Sequence, residues 1–275
     1  MTFPTPPAPR LATPRLAPQP SARARGRNII AVASGKGGVG KTWFSITLTH
    51  ALARRGQKAL LFDADLGLAN VDIQLGLMPK YDLGSVVAGR MTLNQAAMTY
   101  SGDDTTRFDV IAGRSGSGSL ANIPLSRLQL LGEDLTLMAG GYDRVVMDLG
   151  AGVETSVRAL SRHAGTILVV TSDEPTALTD AYAFIKITLM ERPDADLRVI
   201  INTANTTREG ERTYNTLLKA CQGFLKASPP LAGIIRRDNK VRDAIRNQSS
   251  ILIRHPSSEA AMDVEAIADK LIGGR

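Results

Sequence analysis

Several shortages in this chain each exclude a class of protein. It has one cysteine, Cys221, in 275 residues. A single thiol builds neither an intrachain disulfide framework nor a paired-cysteine metal or cluster site. No apolar run approaches the roughly 18 residues of a membrane-spanning helix. The first residues lack the continuous apolar core of a secretory signal, so the cytoplasm is the expected compartment. Acidic residues are missing from positions 1–27, which hold Arg10, Arg15, Arg23, Arg25, Arg27 and seven of the fourteen prolines. Of the formal charge of +7, five units sit on this stretch, leaving +2 for 28–275. The basic balance therefore belongs mostly to the arm and does not by itself argue for a DNA-binding body. With little to bury, residues 1–27 read as a disordered, partly polyproline-like arm. The remainder, 28–275, is long enough to bury one substantial core.

What is present starts at Ser34. The run SGKGGVGKT, 34–42, follows the apolar stretch IIAVA and leads into a helix-periodic segment, 43–55. Gly35, Gly40, Lys41 and Thr42 fit the G-x-x-x-x-G-K-[ST] pattern of a phosphate-binding loop. Glycines let Gly35, Lys36, Gly37, Gly38, Val39 and Gly40 present a nest of backbone N–H groups, and the following helix start adds partial positive charge. Lys41 is then expected to reach the β/γ-phosphates and the Thr42 hydroxyl to hold Mg²⁺. This is a nucleoside triphosphate site, with ATP and Mg²⁺ as its expected ligands.

Further along, short apolar runs alternate with helical patterns. Strands are expected near 29–33, 59–62, 107–112, 145–147, 166–171, 197–201 and 231–235. Helices are expected near 43–55, 124–139, 155–164, 175–190, 209–225, 240–247 and 258–272, with short helices through 82–100 and a flexible RSGSGSL connection at 114–120. Such alternation predicts an α/β fold: a mostly parallel central sheet with helices on both faces. Asp63, Asp65, Asp148 and Asn202 then fall at strand ends beside the phosphate loop, on the edge where ligands bind. Asp148, followed by Gly150 and Gly152, reads as a strand-end carboxylate holding Mg²⁺ next to a switch loop. Asp63 and Asp65 are expected to divide two tasks, one facing the metal and the other the attacking water, with Asp65 catalytic and Asp63 in support. Lys36 is a second lysine inside the loop. It makes sense as a cation supplied across a dimer interface, as an arginine finger acts in trans.

These stretches resemble a known family. SGKGGVGKT is similar to the deviant phosphate loop of the MinD/ParA ATPases, DADLGLANVD at 63–72 to their first switch, and MDLGAG at 147–152 to their second. Within that family, DADLGLANVDIQLGL, DEPTALTDAYAFIK at 173–186, EGERTYNTLLK at 209–219 and DNKVRDAIRNQ at 238–248 resemble the FlhG/FleN branch, which limits flagellar number. The resemblance spans about 28–272. It implies an ATP-driven homodimer that slow hydrolysis releases. Lys36 would be the trans-acting signature lysine, Lys41 the phosphate lysine, Thr42 the Mg²⁺ ligand, Asp65 the water-orienting acid, Asp148 the second-switch acid and Asn202 an adenine contact. It also implies an FlhF-like GTPase and a flagellar transcription activator as partners, with recruitment to the cell pole or inner membrane surface.

Some positions depart from the family pattern. Trp43 replaces the small polar residue that follows the loop threonine, so its backbone N–H is left to serve the α-phosphate. Arg236 and Arg237 stand where a proline and an acidic or polar residue are usual near the adenine. The arm lacks the DQAxxLR-type motif through which that branch stimulates its GTPase. In the last helix Ala260, Val264, Ile267, Leu271 and Ile272 form an apolar stripe. The acids around it, Glu259, Asp263, Glu265 and Asp269, oppose adsorption to anionic lipid, so the stripe is expected to pack on the sheet.

The alternative reading is a ParA-type partition ATPase that binds DNA through Arg236, Arg237, Lys240, Arg242, Arg246, Arg254 and the arm. Asp238 and Asp243 dilute that cluster. An iron–sulfur carrier sharing the loop is excluded by the lone cysteine. A cobyrinate amidase relative lacks a visible amide-transfer nucleophile.

Overall fold

The apolar runs form the middle of a sheet. β1 (Ile29–Ser34) and β2 (Ala59–Ala64) are buried at every position, as parallel strands covered on both faces must be. The computed structural model describes residues 26–102, 105–113 and 123–273. The arm up to residue 25 and the 114–120 connection lie outside the described residues. Among those described, β3 (Met98–Ser101), β4 (Arg107–Ile111), β5 (Arg144–Ala151), β6 (Thr166–Thr171), β7 (Leu197–Ala204) and β8 (Leu231–Arg236) complete one eight-stranded sheet. Its order is β3-β4-β2-β5-β1-β6-β7-β8. Every pairing is parallel except that of β3 with β4.

Among the described residues the α-helices are α1 (Lys41–Arg54), α2 (Val71–Leu75), α3 (Leu83–Val87), α4 (Leu93–Ala96), α5 (Leu125–Ala139), α6 (Thr155–Ser161), α7 (Pro175–Glu191), α8 (Thr207–Ala220), α9 (Asn239–Arg246), α10 (Ile251–Arg254) and α11 (Glu259–Gly273), with a π-helical turn, Cys221–Leu225, directly after α8. Alternate residues of β1 feed two apolar layers. Ile29, Ala31 and Ala33 join the layer built with α3 to α8, and Ile30 and Val32 join the layer under α1, α2 and α9 to α11. The α/β architecture read from the alternation is the one observed.

The stretch 82–100 needs a correction. Its short helices, α3 and α4, are present, but 98–101 is an antiparallel edge strand, with Met98 opposite Val110 and Ser101 opposite Arg107. Four residues carry too little periodicity to reveal a strand. This one is held from a distance, by its pairing and by the Tyr100 ring 5.0 Å from that of Phe108.

The last helix behaves as its acids suggested. Ala260, Val264 and Ile267 are buried, and α11 packs on β8 and α1. Its carboxylates pair outward: Glu265 with Arg54, Asp269 with Arg55, and Asp263 and Glu259 with Arg236. No described helix is long and apolar enough to cross a membrane.

Candidate nucleotide site

The site starts where β1 hands the chain to α1. Gly40 carries φ +90°, and a methyl group there would lie 2.4 Å from the Asn202 amide; one at Gly35 would lie 2.1 Å from the backbone of Asp180 on α7. Glycine alone allows that left-handed turn and that approach. Gly40 has no side chain to cap α1, so the first-turn amides stay open to an anion. Asn202, two residues before the end of β7, donates its amide N–H to the Val39 carbonyl at 2.8 Å. It braces the loop from behind.

Two cavities meet at this loop. One of about 480 Å³ is bordered by Lys41, Thr42, Asp65, Gln74, Gly150 and Glu154. The other, about 550 Å³, is bordered by Lys36, Val39, Asn202, Arg236, Arg237 and Val241. Gly37, Gly38, Gly40 and Trp43 border both, as does Ile245 of α9.

Beneath the first cavity lie acids that the sheet register brings together. Asp63 of β2 is level with Asp148 of β5, and both are fully buried. Burial raises the Asp63 carboxyl well above its ordinary range, and the Asp148 and Asp65 charges add to this. Burial also lifts Asp148, to about 6, against hydrogen bonds from Thr42 and Ser45 and the positive charge of Lys41. Ser45 donates to Asp148 Oδ1 at 2.8 Å. Asp148 Oδ2 is buried without a partner. Lys41, only 7% exposed, has its ammonium pulled below the usual lysine range by burial, with Asp148 and Asp65 opposing.

Two residues apart on an unbroken strand, Asp63 and Asp65 would share a face. β2 ends at Ala64, and the chain turns them to different tasks. Asp63 accepts from the amides of Asp65 and Val71, both at 3.2 Å, pinning the segment between β2 and α2. Asp65 stands over the cavity, with Oδ1 accepting from the amides of Gly67 at 3.2 Å and Leu68 at 2.9 Å.

Lys36 points the other way. Its ammonium donates to Glu174 Oε2 at 2.7 Å and to the Thr176 hydroxyl at 2.9 Å, at the start of α7. It does not border the first cavity.

The model of the CobQ/CobB/MinD/ParA nucleotide binding domain matches residues 30–251. The chain belongs to that family. It is 36% identical over 244 residues to the antiactivator FleN of Pseudomonas aeruginosa, covering 88% of this chain and 85% of that protein. It is 30% identical over 247 residues to the flagellum site-determining protein YlxH of Helicobacter pylori, covering 88% and 81%. The solved MinD of Pyrococcus horikoshii, complexed with Mg-ADP, shares the fold at a TM-score of 0.75 and 24% identity, over 90% of this chain and 97% of that one. The resemblance to MinD/ParA proteins and their flagellar branch is thereby borne out.

The donors at the loop suit the metal expected in such a site. The orphaned Asp148 oxygen and the Thr42 hydroxyl are hard oxygen ligands, and Mg²⁺ takes one or two of these from protein and the rest from phosphates and water. The described residues include no cluster of three metal-ligating side chains.

Sequence reading missed Ser45, although it lies three residues after Thr42 and so on the same side of α1. It also missed Glu174 as the partner of Lys36, 138 residues away, which no local pattern could reveal. Gln74 and Ile245 likewise enter only through packing.

Proposed function

We propose that this protein is a Mg²⁺-dependent ATPase whose ATP-bound form pairs two copies, and that this switch regulates flagellar number or placement. One observation carries the chemistry. Lys41, the first residue of α1, and the half-satisfied carboxylate of Asp148 on β5 are buried and interact, beside a cavity that Asp65 overlooks. In this reading the loop amides and Lys41 neutralise the β/γ-phosphates. Thr42 and Asp148 are the residues that would hold Mg²⁺, which would supply charge neutralisation at the phosphates. Asp65 orients the attacking water once its carboxylate leaves the turn amides, while Asp63 holds the segment in place. Asn202 contacts the adenine from the second cavity. Lys36 exchanges Glu174 for a phosphate of the partner copy. Its present bond lies at the surface, where such a pair contributes little stability. The likeness to FleN and YlxH supports the flagellar role, with an FlhF-like GTPase and a transcription activator as partners. Cytoplasmic residence with recruitment to the pole or inner membrane surface fits the same reading.

The partition reading has weaker support. Arg236 is engaged by Asp263 and Glu259, and Arg254 by Asp243, so two of the six proposed DNA-binding cations are already neutralised. If DNA were the partner, binding would require ATP and fall steeply with salt.

Light scattering on the Asp65→Ala protein tests the main reading. With ATP and Mg²⁺ it should bind nucleotide, hydrolyse it slowly and accumulate as a dimer that captures the GTPase. A protein that stays single when saturated with ATP and Mg²⁺ sinks the switch.

A further inference from the structure

Two residues of the first cavity are left with unmade bonds. Trp43 Nε1 and Gln74 Oε1 are both shut off from solvent and without a hydrogen-bond partner. Both residues border the same cavity. They stand on α1 and α2, which pack on each other in an apolar cluster containing Trp43, Val71 and Leu75. An indole N–H only donates and an amide oxygen only accepts, so the two are chemical complements. Buried polar groups are almost always paired, and an unpaired donor and an unpaired acceptor each carry a desolvation cost. Both atoms are fully buried. A molecule filling the cavity therefore reaches neither unless the wall moves.

The movable wall is α2. α1 is buried along eleven of its positions, which fixes Trp43. By contrast α2 has only five residues, of which Val71 and Leu75 are buried; it exposes Ile73 and is tethered at its start by Asp63 at the Val71 amide and at its middle by Gln248 at the Ile73 carbonyl.

We infer that Gln74 is a positioning residue for hydrolysis. When a triphosphate fills the loop, α2 closes on α1, Gln74 Oε1 accepts from Trp43 Nε1, and the 65–70 segment is drawn over the phosphates. This rests on the nucleotide-site reading above. The bias comes from the phosphates. The Gly67 and Leu68 residues border the same cavity, and their amides now serve Asp65 Oδ1. Only the loaded state offers phosphate oxygens that compete for those amides. Their capture frees the Asp65 carboxylate. The tryptophan that departs from the family's small polar residue becomes the fixed half of a latch.

The chain has a single tryptophan, so ¹⁵N-labelled full-length protein gives one indole N–H cross-peak in NMR. Adding Mg²⁺ and a non-hydrolysable ATP analogue should move that peak downfield in the wild type and leave it in place in Gln74→Met, which keeps side-chain length but removes the acceptor. Gln74→Met should lower kcat roughly three- to tenfold, the loss of one hydrogen bond, with KM within about twofold. Gln74→Glu, which keeps an acceptor, should restore the indole shift. Trp43→Phe should match Gln74→Met, and the double variant should be no worse than either, because the bond is lost only once. Should Trp43→Phe fail to fold, Gln74→Met and the wild-type peak still decide between the outcomes. A wild-type indole peak unmoved by bound analogue, or additive losses in the double variant, overturns the latch and leaves the nucleotide site standing. Failure of the wild type to bind the analogue by calorimetry overturns both.

Discussion

Lys36 and Lys41 stand five residues apart in one loop, in opposite surroundings. Lys41 opens α1, is 7% exposed and faces Asp148 and Asp65. Lys36 has a side chain 37% exposed and a surface partner, Glu174, whose own side chain is 62% exposed. A buried ammonium must keep its acids or lose much of the stability of the site around it. An exposed one can exchange its partner at small cost. The comparison teaches that burial sorts two identical side chains into an internal role and an outward one.

The sharpest way to break this contrast is Lys41→Ala. It should weaken ATP binding and hydrolysis at least about a hundredfold, since a charge-assisted phosphate contact is lost from a buried site. Calorimetry and phosphate release report this, and unchanged turnover would refute the internal role.

Asp148→Asn comes next, with hydrolysis reduced by roughly a hundredfold. It also tests the buried side of the contrast in metal-free protein. The folded carboxyl titrates at about 6 against an ordinary 3.8, so between those values the folded chain binds more protons than the unfolded one. Stability contributed by Asp148 is therefore full below about 4, falls as pH rises to about 6, and stays low above. Asn removes that loss. The variant should melt a few degrees higher than wild type at pH 8 in chelator, the difference vanishing near pH 4. Melting curves that stay parallel across this range would contradict the assignment.

Lys36→Ala sharpens the other half. Nucleotide binding by the single chain should stay within about twofold, while ATP-dependent dimerisation disappears from light scattering. The smallest effect belongs to Glu174→Ala. It removes an exposed pair, so Tm should move by about a degree at most, and dimers should form at equal or lower ATP concentration. A dimer that needs more ATP would show Glu174 to be part of the interface rather than the resting partner of Lys36.

The strand, glycine-rich loop and helix at 29–54 were legible because their pattern is contiguous. Glycine spacing, Lys41 and Thr42 lie within eight residues, between a run that must be a strand and a segment that must be a helix. Asp148 was legible as an acid closing an apolar run, but the strand does not end there: β5 continues to Ala151, paired with β1 and β2, so Asp148 lies inside the strand. The edge strand at Met98–Ser101 was not, because four residues gain their stability from a partner strand rather than from their own pattern. Neither was the local geometry of Asp65. Its identity pointed to water, but its engagement with the Gly67 and Leu68 amides depends on where β2 stops.

Local pattern settled the α/β class and marked the glycine-rich loop, because glycine geometry and strand or helix period are properties of neighbouring residues, and the resemblance of a few contiguous motifs pointed to the family. Tertiary structure decided which charges are buried and with whom: Asp63 beside Asp148, Lys36 on Glu174, Arg236 on α11. Those choices follow from sheet register and helix packing, which join residues tens to more than a hundred positions apart, and no stretch of sequence carries that information by itself.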